Sequence, residues 1–341
     1  MRTATRLYRR STIAVAIASI LLILIISVWA STALRTVPPS RLPLTIALPV
    51  QVASGALYIA QERQLFHKHA LDVKLRPFLL GKQALQSVLD GQADLAFVAD
   101  TPFALAVMRG EQIAALATVF ESRKTMAIFT LKDGAITDAG SLAGKRVGTV
   151  TGTNAEYFLH TMLDVYDIPH EKVTITGFKP ENLAAALVDG KVDAVTVWNP
   201  TLARLENEFG ARSLTIYGED FFVYRFLLVG KKNFIDKHPS EVSRILATLI
   251  ESNDLIKADP VNSRNLVGHR LDMEQGLLAR SFNANDFTLA LDQPLLLALS
   301  SQKRWAETKQ MVPVQDHLDF LDFLRPVPLT TLSPDANKMI R

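Results

Sequence analysis

The stretch TVTGTNAEYFL combines the end of a strand pattern with the start of a helix pattern. The chain turns at Gly152, Thr153 and Asn154, between the strand-like residues 145–150 and the helix-like residues 154–166. The first backbone N–H groups of a helix lack internal partners and carry the positive end of its dipole, so such a turn can bind an anion or a dipole. Thr153 or Asn154 can equally act as a plain helix cap. The stretch alone leaves both interpretations open.

Three other side chains have chemistry that suits a binding site. Trp198 ends an apolar strand pattern and offers a large ring with an indole donor, although it can also pack beneath Pro200. Asp100 can contact a ligand or cap the helix-like TPFALAVMRG that it precedes. Arg225 can pair with an anionic ligand through two hydrogen bonds, or it can form an ordinary salt bridge.

No group of residues in the chain indicates catalysis or metal binding. His67 and His69 form an H-x-H pattern, but no third and fourth ligand are near them in sequence, and we expect them to cover a solvated helix end. The glycines of GKRVGTVTG do not have the spacing of a dinucleotide fingerprint, and the common hydrolase, Walker A and zinc-protease motifs are absent. The sequence has no cysteine, which excludes disulfides, thiolate metal sites and a lipid-modified cysteine anchor. We therefore predict no catalytic residues, no metal and no cofactor.

The N-terminus predicts export from the cytoplasm. Arg2, Arg6, Arg9 and Arg10 precede 24 uncharged residues, 11–34, and about 20 such residues suffice to cross a membrane. Positive charge on this flank keeps it cytoplasmic, so everything after Leu34 is expected outside. A cleaved signal peptide is the alternative, because small residues at 28–33 offer processing sites. We favour a retained anchor because the apolar core is longer than that of a usual signal.

Length, composition and charge limit the classes of protein to which the exported part can belong. A chain of 341 residues is long enough for about two domains, and 48% apolar with 21% charged residues is typical of a globular protein. The net charge is +3, and removing the four positive charges of the N-terminal arginines leaves −1 for the rest. The body of the chain has no basic stripe with interleaved aromatics, so we expect no nucleic-acid partner.

An internal repeat organises the chain after the Pro-rich linker 35–43. Strand and helix patterns alternate as βαβαβ over residues 44–99 and again over 145–198, which predicts parallel strands with right-handed crossovers. At an offset of 99 residues Asp94 aligns with Asp193, and Asp100 falls on Asn199. The two units therefore look like copies of one lobe.

The repeat predicts an α/β fold with two lobes, each a mostly parallel sheet with flanking helices. Lobe 1 is expected to be discontinuous, with residues 44–125 and 224–341, and lobe 2 to contain residues 126–223. Strands near 126–131 and 223–229 are expected to form a double-strand hinge. The C-terminal region is predicted to be helical over 239–258, 260–271, 293–311 and 314–324, and to pack on lobe 1. Ligands of such sheets bind at the carboxyl ends of the strands, which here face one cleft.

Four motifs in this order resemble a known family: SGALYIAQERQLF, LDGQADLAFVADTP, LAGKRVGTVTGTNAEYFL and ALVDGKVDAVTVWNP. From about Leu44 onward the chain resembles the periplasmic solute-binding proteins of ABC importers for sulfonates, taurine and nitrate, a group related to thiamine-pyrimidine-binding proteins. The resemblance implies a type II periplasmic-binding-protein fold and a monomer whose partners are a small-molecule ligand and an ABC permease and ATPase. Such proteins usually carry a cleavage site or a lipidated cysteine, so the long uncharged segment is a departure.

The resemblance also implies where the ligand lies. Carried over to this sequence, the implied ligand-binding residues follow the first and third strands of lobe 1 and occupy the corresponding turns of lobe 2. They are Gln51, Ser54, Gly55, Asp100, Thr101, Gly152, Thr153, Asn154, Trp198 and Asn199. The expected ligands are a sulfonate, taurine, nitrate or a pyrimidine-like compound.

Two other functions are open to a chain of this kind. One is an enzyme, since relatives of the fold make the thiamine pyrimidine or act in menaquinone synthesis. The cysteine-rich motif of the former cannot exist in a chain without cysteine. The other is a membrane-anchored extracytoplasmic sensor, which a retained anchor would suit. We expect an importer's binding protein, located in the periplasm or at the outer face of the inner membrane.

Overall fold

The computed structural model describes residues 42–132 and 134–339. The predicted membrane segment 11–34 and the linker up to residue 41 lie outside the described residues. Within the described ranges, no helix is long and apolar enough to cross a membrane.

Twelve strands and thirteen α-helices make up the described chain. The strands are β1 (Pro43–Pro49), β2 (Asp72–Phe78), β3 (Leu95–Ala99), β4 (Ile113–Ser122), β5 (Met126–Leu131), β6 (Arg146–Thr149), β7 (Thr174–Gly177), β8 (Ala194–Trp198), β9 (Ser213–Tyr217), β10 (Tyr224–Lys231), β11 (Phe287–Asp292) and β12 (Asn337–Lys338). The helices are α1 (Gly55–Glu62), α2 (Leu65–Lys68), α3 (Gly81–Leu89), α4 (Asp100–Met108), α5 (Asn154–Val165), α6 (Pro180–Val188), α7 (Thr201–Phe209), α8 (Lys232–Lys237), α9 (Pro239–Ala258), α10 (Pro260–Leu271), α11 (Gln275–Ser281), α12 (Gln293–Thr308) and α13 (Pro326–Leu332).

The strands form two sheets. The larger has the order β12-β11-β4-β10-β3-β1-β2, and the smaller has the order β7-β6-β8-β5-β9. In the larger sheet β1 pairs in parallel with β2 and β3, and β10 runs antiparallel between β3 and β4. In the smaller sheet β6 pairs in parallel with β7 and β8, and β5 runs antiparallel between β8 and β9. We call each sheet with its covering helices the first and the second lobe, respectively, and the prediction of two α/β lobes is confirmed.

The apolar runs in the sequence explain why the central strands lie where they do. Every residue of β3 is buried, and β10 is buried up to its last residue. A strand without polar alternation must be covered on both faces, and parallel sheets meet that need by placing crossover helices on each side. By contrast, β7 lies at the edge of the second sheet and is largely exposed.

The repeat predicted from the sequence has a structural counterpart in both lobes. The carboxylate of Asp94 accepts a hydrogen bond from the backbone N–H of Thr45 at 2.7 Å, and that of Asp193 accepts one from the backbone N–H of Arg146 at 2.8 Å. Each contact joins the start of the third strand of its unit to the first strand. Helices α3 and α6 have nine residues each and end before a glycine with positive φ, 72° at Gly91 and 67° at Gly190.

The chain passes between the lobes in two short connections. Strand β5 lies wholly in the second sheet, and β10 lies wholly in the first. The connections are residues 123–125, after β4, and residues 218–223, before β10. The strands expected near 126–131 and 223–229 therefore flank the connections and do not themselves run from one sheet to the other.

The C-terminal region differs from the prediction at one segment. Residues 314–324 were expected to be a helix, but they contain turns and only a short 3₁₀ helix at Phe320–Phe323. The Asp319 carboxylate accepts from the N–H of Leu321, and Leu324 forms a bridge with Ala115 of β4. These contacts favour a local turn and pairing with the sheet over a continuous helix. The sequence patterns also missed strands β4, β9 and β11 and helix α7.

Candidate ligand-binding site

The carboxyl ends of the central strands of both lobes face one cleft. Thirteen residues from both lobes line a pocket there. Four of them are among the ten residues predicted from the sequence: Gln51, Thr153, Asn154 and Trp198. The other nine are Leu80, Gly81, Lys82, Ala99, Pro102, Met126, Ala155, Tyr224 and Phe226. The cavity has a volume of about 20 Å³, close to the space that one water needs. The arrangement is therefore a closed one, with little room for a solute between these residues.

The pocket combines aromatic surface with few polar groups. Trp198 is partly buried and packs against both apolar clusters of the protein, one of which extends over both lobes. Tyr224 and Phe226 meet edge to face, with their ring centroids 5.3 Å apart. The Tyr224 hydroxyl donates to Oε1 of Gln51 at 3.2 Å, and burial raises the pKa of this phenol, which keeps it a donor. This arrangement can bind an apolar or aromatic group and orient it through a small number of hydrogen bonds.

The turn at 152–154 is capped by side chains of the protein itself. The Gly152 N–H donates to Oε2 of Glu156 at 2.7 Å. The Thr153 hydroxyl accepts from the N–H of Ala155 at 3.2 Å and donates to the carbonyl of Val150 at 2.6 Å. Thr153 therefore has the contacts of a helix cap. The Glu156 carboxylate accepts from the Gly152 N–H, at the turn where an anion was expected to bind.

Asp100 joins the two lobes. The residue is 1% exposed, and Oδ1 accepts from Nδ2 of Asn154 in the second lobe at 2.5 Å and from the N–H of Thr101 at 3.0 Å. Burial raises the pKa of Asp100, against the opposing effects of the Arg225 charge and of hydrogen bonds from Asn154, Gln302 and Thr101. Oδ1 of Asn154 and Oγ1 of Thr101 are buried without a partner. Asp100 and Thr101 do not belong to the pocket lining, and the Asp100 contact holds the closed arrangement.

Further contacts cross between the lobes. Lys82 Nζ donates to the carbonyl of Thr151 at 3.0 Å. Trp305 of α12 packs against Tyr157 of α5, with a centroid distance of 5.3 Å. Arg280 of α11 forms an ion pair with Glu206 of α7. The C-terminal helices therefore contact the second lobe as well as the first.

The remaining predicted residues have other contacts. The Ser54 hydroxyl donates to the carbonyl of Pro49 at 2.7 Å. A Cβ on Gly55 would come within 2.8 Å of the Phe287 ring, so this glycine permits close packing of α1. Oδ1 of Asn199 accepts from the N–H of Ala203 at 3.2 Å. These three residues, with Gly152, support the loops around the pocket and do not line it.

The alternation of side chains along β10 places Arg225 away from the cleft pocket. Successive side chains of a strand point to opposite faces. Tyr224 and Phe226 line the cleft pocket, whereas Arg225 lines a second cavity of about 620 Å³ behind the connections. Nε of Arg225 donates to Oε1 of Glu121 at 2.7 Å, so the salt-bridge interpretation of this arginine applies. Alternation within FVYRFLLVG was the signal that could have identified the two aromatic residues.

The histidines show no metal centre in the part of the chain that the structure describes. No group of three or more His, Asp or Glu side chains is arranged there to bind a metal ion. His69 pairs with Glu251 at 2.9 Å, and His67 is exposed. His170 contacts Asp164, His160 and Lys309 at the boundary between α5 and α12.

Two α/β lobes that close on a cleft at their strand ends define the periplasmic-binding-protein class. The solved aliphatic sulphonate binding protein SsuA from Escherichia coli has this fold, with a TM-score of 0.74, 18% identity, and coverage of 83% of this chain and 97% of that chain. The desulfurization enzyme DSZB has it too, with a TM-score of 0.67, 16% identity, and coverage of 85% of this chain and 98% of that chain. The fold alone thus includes binding proteins and an enzyme.

The chain belongs to the family described as NMT1/THI5 like, whose model matches residues 51–263. It is 24% identical to a protein named as a binding protein of Brucella abortus over 241 residues, 68% of this chain and 74% of the relative. It is 28% identical to a protein named as an aliphatic sulfonates-binding protein of Bacillus subtilis over 207 residues, 59% of this chain and 62% of the relative.

Proposed function

We propose that the protein is the extracytoplasmic solute-binding component of an ABC importer. It captures a small solute by closing its two lobes and presents the closed form to a permease and its ATPase. The relatives named as binding proteins and the solved sulphonate-binding protein with the same fold support this function. We further propose that it acts as a monomer in the periplasm or at the outer face of the inner membrane, anchored by residues 11–34.

The observation that carries the proposal is the pocket shared by both lobes. A solute that contacts Gln51 and Tyr224 on one side and Asn154 and Trp198 on the other gains all of its contacts only when the lobes are closed. Closure needs little energy from the ligand. A solute present at a hundred times its dissociation constant stabilises the closed form by about 2.7 kcal/mol, which is enough to bias states that differ by a few kcal/mol.

The pocket lining favours an organic solute with an anionic group. Lys82 is the one cationic side chain among its described lining residues, and Trp198, Tyr224, Phe226 and Met126 supply apolar surface. A sulfonate matches both features, and relatives carry sulfonate in their names. Taurine, nitrate and a pyrimidine-like compound are the competing ligands. Of the ten residues expected to bind the ligand, we propose direct contact for the four that line the pocket.

We propose that the protein is not an enzyme and needs no cofactor. Catalysis by proton transfer needs an acid or base near the reacting group. The titratable groups among the described lining residues are Lys82, at the start of α3, and Tyr224, on β10. These lining residues include no carboxylate and no histidine. Such a lining suits reversible binding.

The test is calorimetric titration and thermal shift with ethanesulfonate, taurine, nitrate and an aminopyrimidine. We expect one of them to raise the melting temperature and to bind with one site per chain. Trp198→Ala should weaken binding at least tenfold, whereas Tyr166→Ala, at an exposed aromatic residue outside the pocket, should not. Absence of binding by every compound, or equal loss in both variants, would contradict the proposed site.

A further inference from the structure

One carboxylate orients two amide side chains at the boundary between the lobes. The Asp100 side chain accepts hydrogen bonds from Asn154 of the second lobe and from Gln302 of α12. All three residues are almost completely buried, with exposed fractions of 1%, 2% and 2%, respectively. Both amide oxygens, Oδ1 of Asn154 and Oε1 of Gln302, are buried and accept no hydrogen bond from a described residue. Two buried acceptors are therefore left over at this boundary.

The orientation of the Asn154 amide follows from what Asp100 can accept. Oδ1 of Asp100 also accepts from the backbone N–H of Thr101 at 3.0 Å, and a backbone N–H can only donate. This oxygen is therefore an acceptor, whether the carboxyl group is ionised or carries a proton on its other oxygen. The Asn154 group in contact with it must be the amide nitrogen, because a reversed amide would bring two acceptors together. The amide oxygen of Asn154 is thereby left for another partner.

Asn154 lines the cleft pocket, so that partner can be a solute. A buried acceptor without a partner is costly, and a solute that donates to it gains affinity that a solute without a donor does not gain. The first lobe presents donors to the same pocket. The Tyr224 hydroxyl donates to Oε1 of Gln51 at 3.2 Å, which leaves the amide nitrogen of Gln51, and Lys82 adds an amine. The pocket thus combines donors on the first lobe with a side-chain acceptor on the second.

We propose that the solute carries an N–H donor that binds Oδ1 of Asn154, and that Asp100 is the positioning residue that holds this oxygen available. Asp100 acts through Asn154 and does not itself touch the solute. The inference rests on the proposed function and adds a requirement to it. Among the candidate ligands, taurine and an aminopyrimidine have such a donor, whereas ethanesulfonate and nitrate do not.

The experiment is calorimetric titration of the full chain with two pairs of compounds of matched shape. Taurine is compared with propanesulfonate, and aminopyrimidine with methylpyrimidine substituted at the same ring position, so that a methyl group replaces the amino group in each pair. We expect the amino compound to bind about tenfold to a hundredfold more tightly in the pair that fits the pocket. The pair that shows this preference identifies the donor as an aliphatic ammonium group or an aromatic amine.

Two outcomes of this titration contradict the inference in different ways. Equal affinities within a pair that binds would overturn the N–H donor requirement and leave the proposed function standing. Binding by none of the four compounds would overturn it together with the organic-solute form of the proposed function.

Variants separate recognition by Asn154 from a general effect on closure, because the ratio of affinities within a pair is measured. Asn154→Leu removes the acceptor at nearly constant shape, and we expect it to reduce the ratio to about one. Asp100→Leu should do the same, since the amide can then turn. Asp100→Asn should retain the ratio, because its side-chain oxygen can still accept from Thr101 and Asn154. An unchanged ratio in Asn154→Leu would overturn the inference, and one in Asp100→Leu would exclude Asp100 as the positioning residue.

Gln302→Leu is the matched control, since Gln302 contacts the same carboxylate but does not belong to the described pocket lining. It should retain the ratio. Loss of the preference in Gln302→Leu, with the preference kept in Asn154→Leu, would place the acceptor elsewhere and overturn the inference. Melting temperatures are measured for every variant first, and Asp100→Ala takes the place of Asp100→Leu if the latter does not fold.

Discussion

Helices α4 and α7 follow equivalent strands of the two lobes but differ in their surroundings. All nine residues of α4 are buried, whereas α7 buries three of its nine, Leu202, Ala203 and Leu205. After Asp100, α4 contains no charged residue, and α7 contains Arg204, Glu206 and Glu208. The strands and turns of the repeat are alike, so the difference lies in what packs on the outer side of each helix.

The C-terminal region accounts for this difference. Helix α12 packs on α4, and α8, α9 and α13 contact strands of the first sheet. Helix α7 contacts the short α11 from that region, and Arg280 of α11 forms an ion pair there with Glu206. The two copies of the unit therefore have similar strands and turns. The polarity of α4 and α7 differs because different C-terminal helices pack on them.

The largest expected effect tests the buried side of this comparison. Phe103 of α4 is fully buried, so Phe103→Ala should lower the free energy of unfolding by about 3–5 kcal/mol. Phe209 of α7 is partly buried, and Phe209→Ala should cost about 1 kcal/mol. Urea denaturation measures both values. Equal losses would show that the two helices are equally important to the core, which contradicts the comparison.

The next effect concerns the contact that α4 makes with the second lobe. Asn154→Ala should cost about 1–3 kcal/mol, because it leaves the buried Asp100 carboxylate without its partner across the cleft. A double-mutant cycle with Asp100→Ala should give a coupling free energy of about 0.5–3 kcal/mol. Additive losses in the cycle would mean that the two side chains do not stabilise closure together.

Acid pH should weaken the contact between α5 and α12. Burial, the Lys309 charge and the His170 charge lower the pKa of His160 from 6.5 to about 3. The unfolded chain therefore binds a proton at this residue at a higher pH than the folded chain does. The contribution of neutral His160 to the free energy of unfolding is therefore complete above pH 6.5 and is lost progressively as the pH falls toward 3. Urea denaturation across this range should show that the free energy of unfolding depends less on pH in His160→Gln than in the parent protein. The exposed His67→Gln is the control. An unchanged pH dependence in His160→Gln would exclude His160 as its source.

The smallest expected effect concerns the link between α7 and α11. The Arg280 side chain is 50% exposed, so Arg280→Met should change the free energy of unfolding by no more than about 1 kcal/mol. Denaturation with urea measures the change, and Lys68→Met, which removes an exposed ion pair within the first lobe, is the matched control. A loss above about 2 kcal/mol would indicate that the C-terminal region fixes the second lobe as firmly as the first.

Much of the fold was accessible from the sequence because its strands are short apolar runs bounded by turn residues. The repeat was also accessible, since Asp94 and Asp193 make the same local contact in both units. The segment 314–324 was not, because its apolar spacing suits a helix while its actual contacts are with distant Ala115. Strand β4 was missed although its residues are almost all buried, since a continuous apolar run gives no periodicity to distinguish it.

The candidate site was less accessible from the sequence than the fold. Trp198 is the last residue of β8 and Asn154 follows β6, at the strand ends where a cleft is expected, and both line the pocket. Tyr224 and Met126 were missed because the side of a strand that faces the cleft depends on tertiary packing. The hydrogen bond from the Gly152 N–H to the Glu156 carboxylate was also missed. This carboxylate lies one helical turn later in the chain and competes with any ligand for the same N–H group.

That cap at Gly152 has a consequence for selectivity. The Glu156 carboxylate is tethered one helical turn from the N–H that it accepts from, so it is present at a high effective concentration. Chloride, sulfate or phosphate from the surrounding medium must displace it and gain little by doing so. The N–H of Gly152 is thereby less available to inorganic anions than an uncapped N–H at a helix start would be.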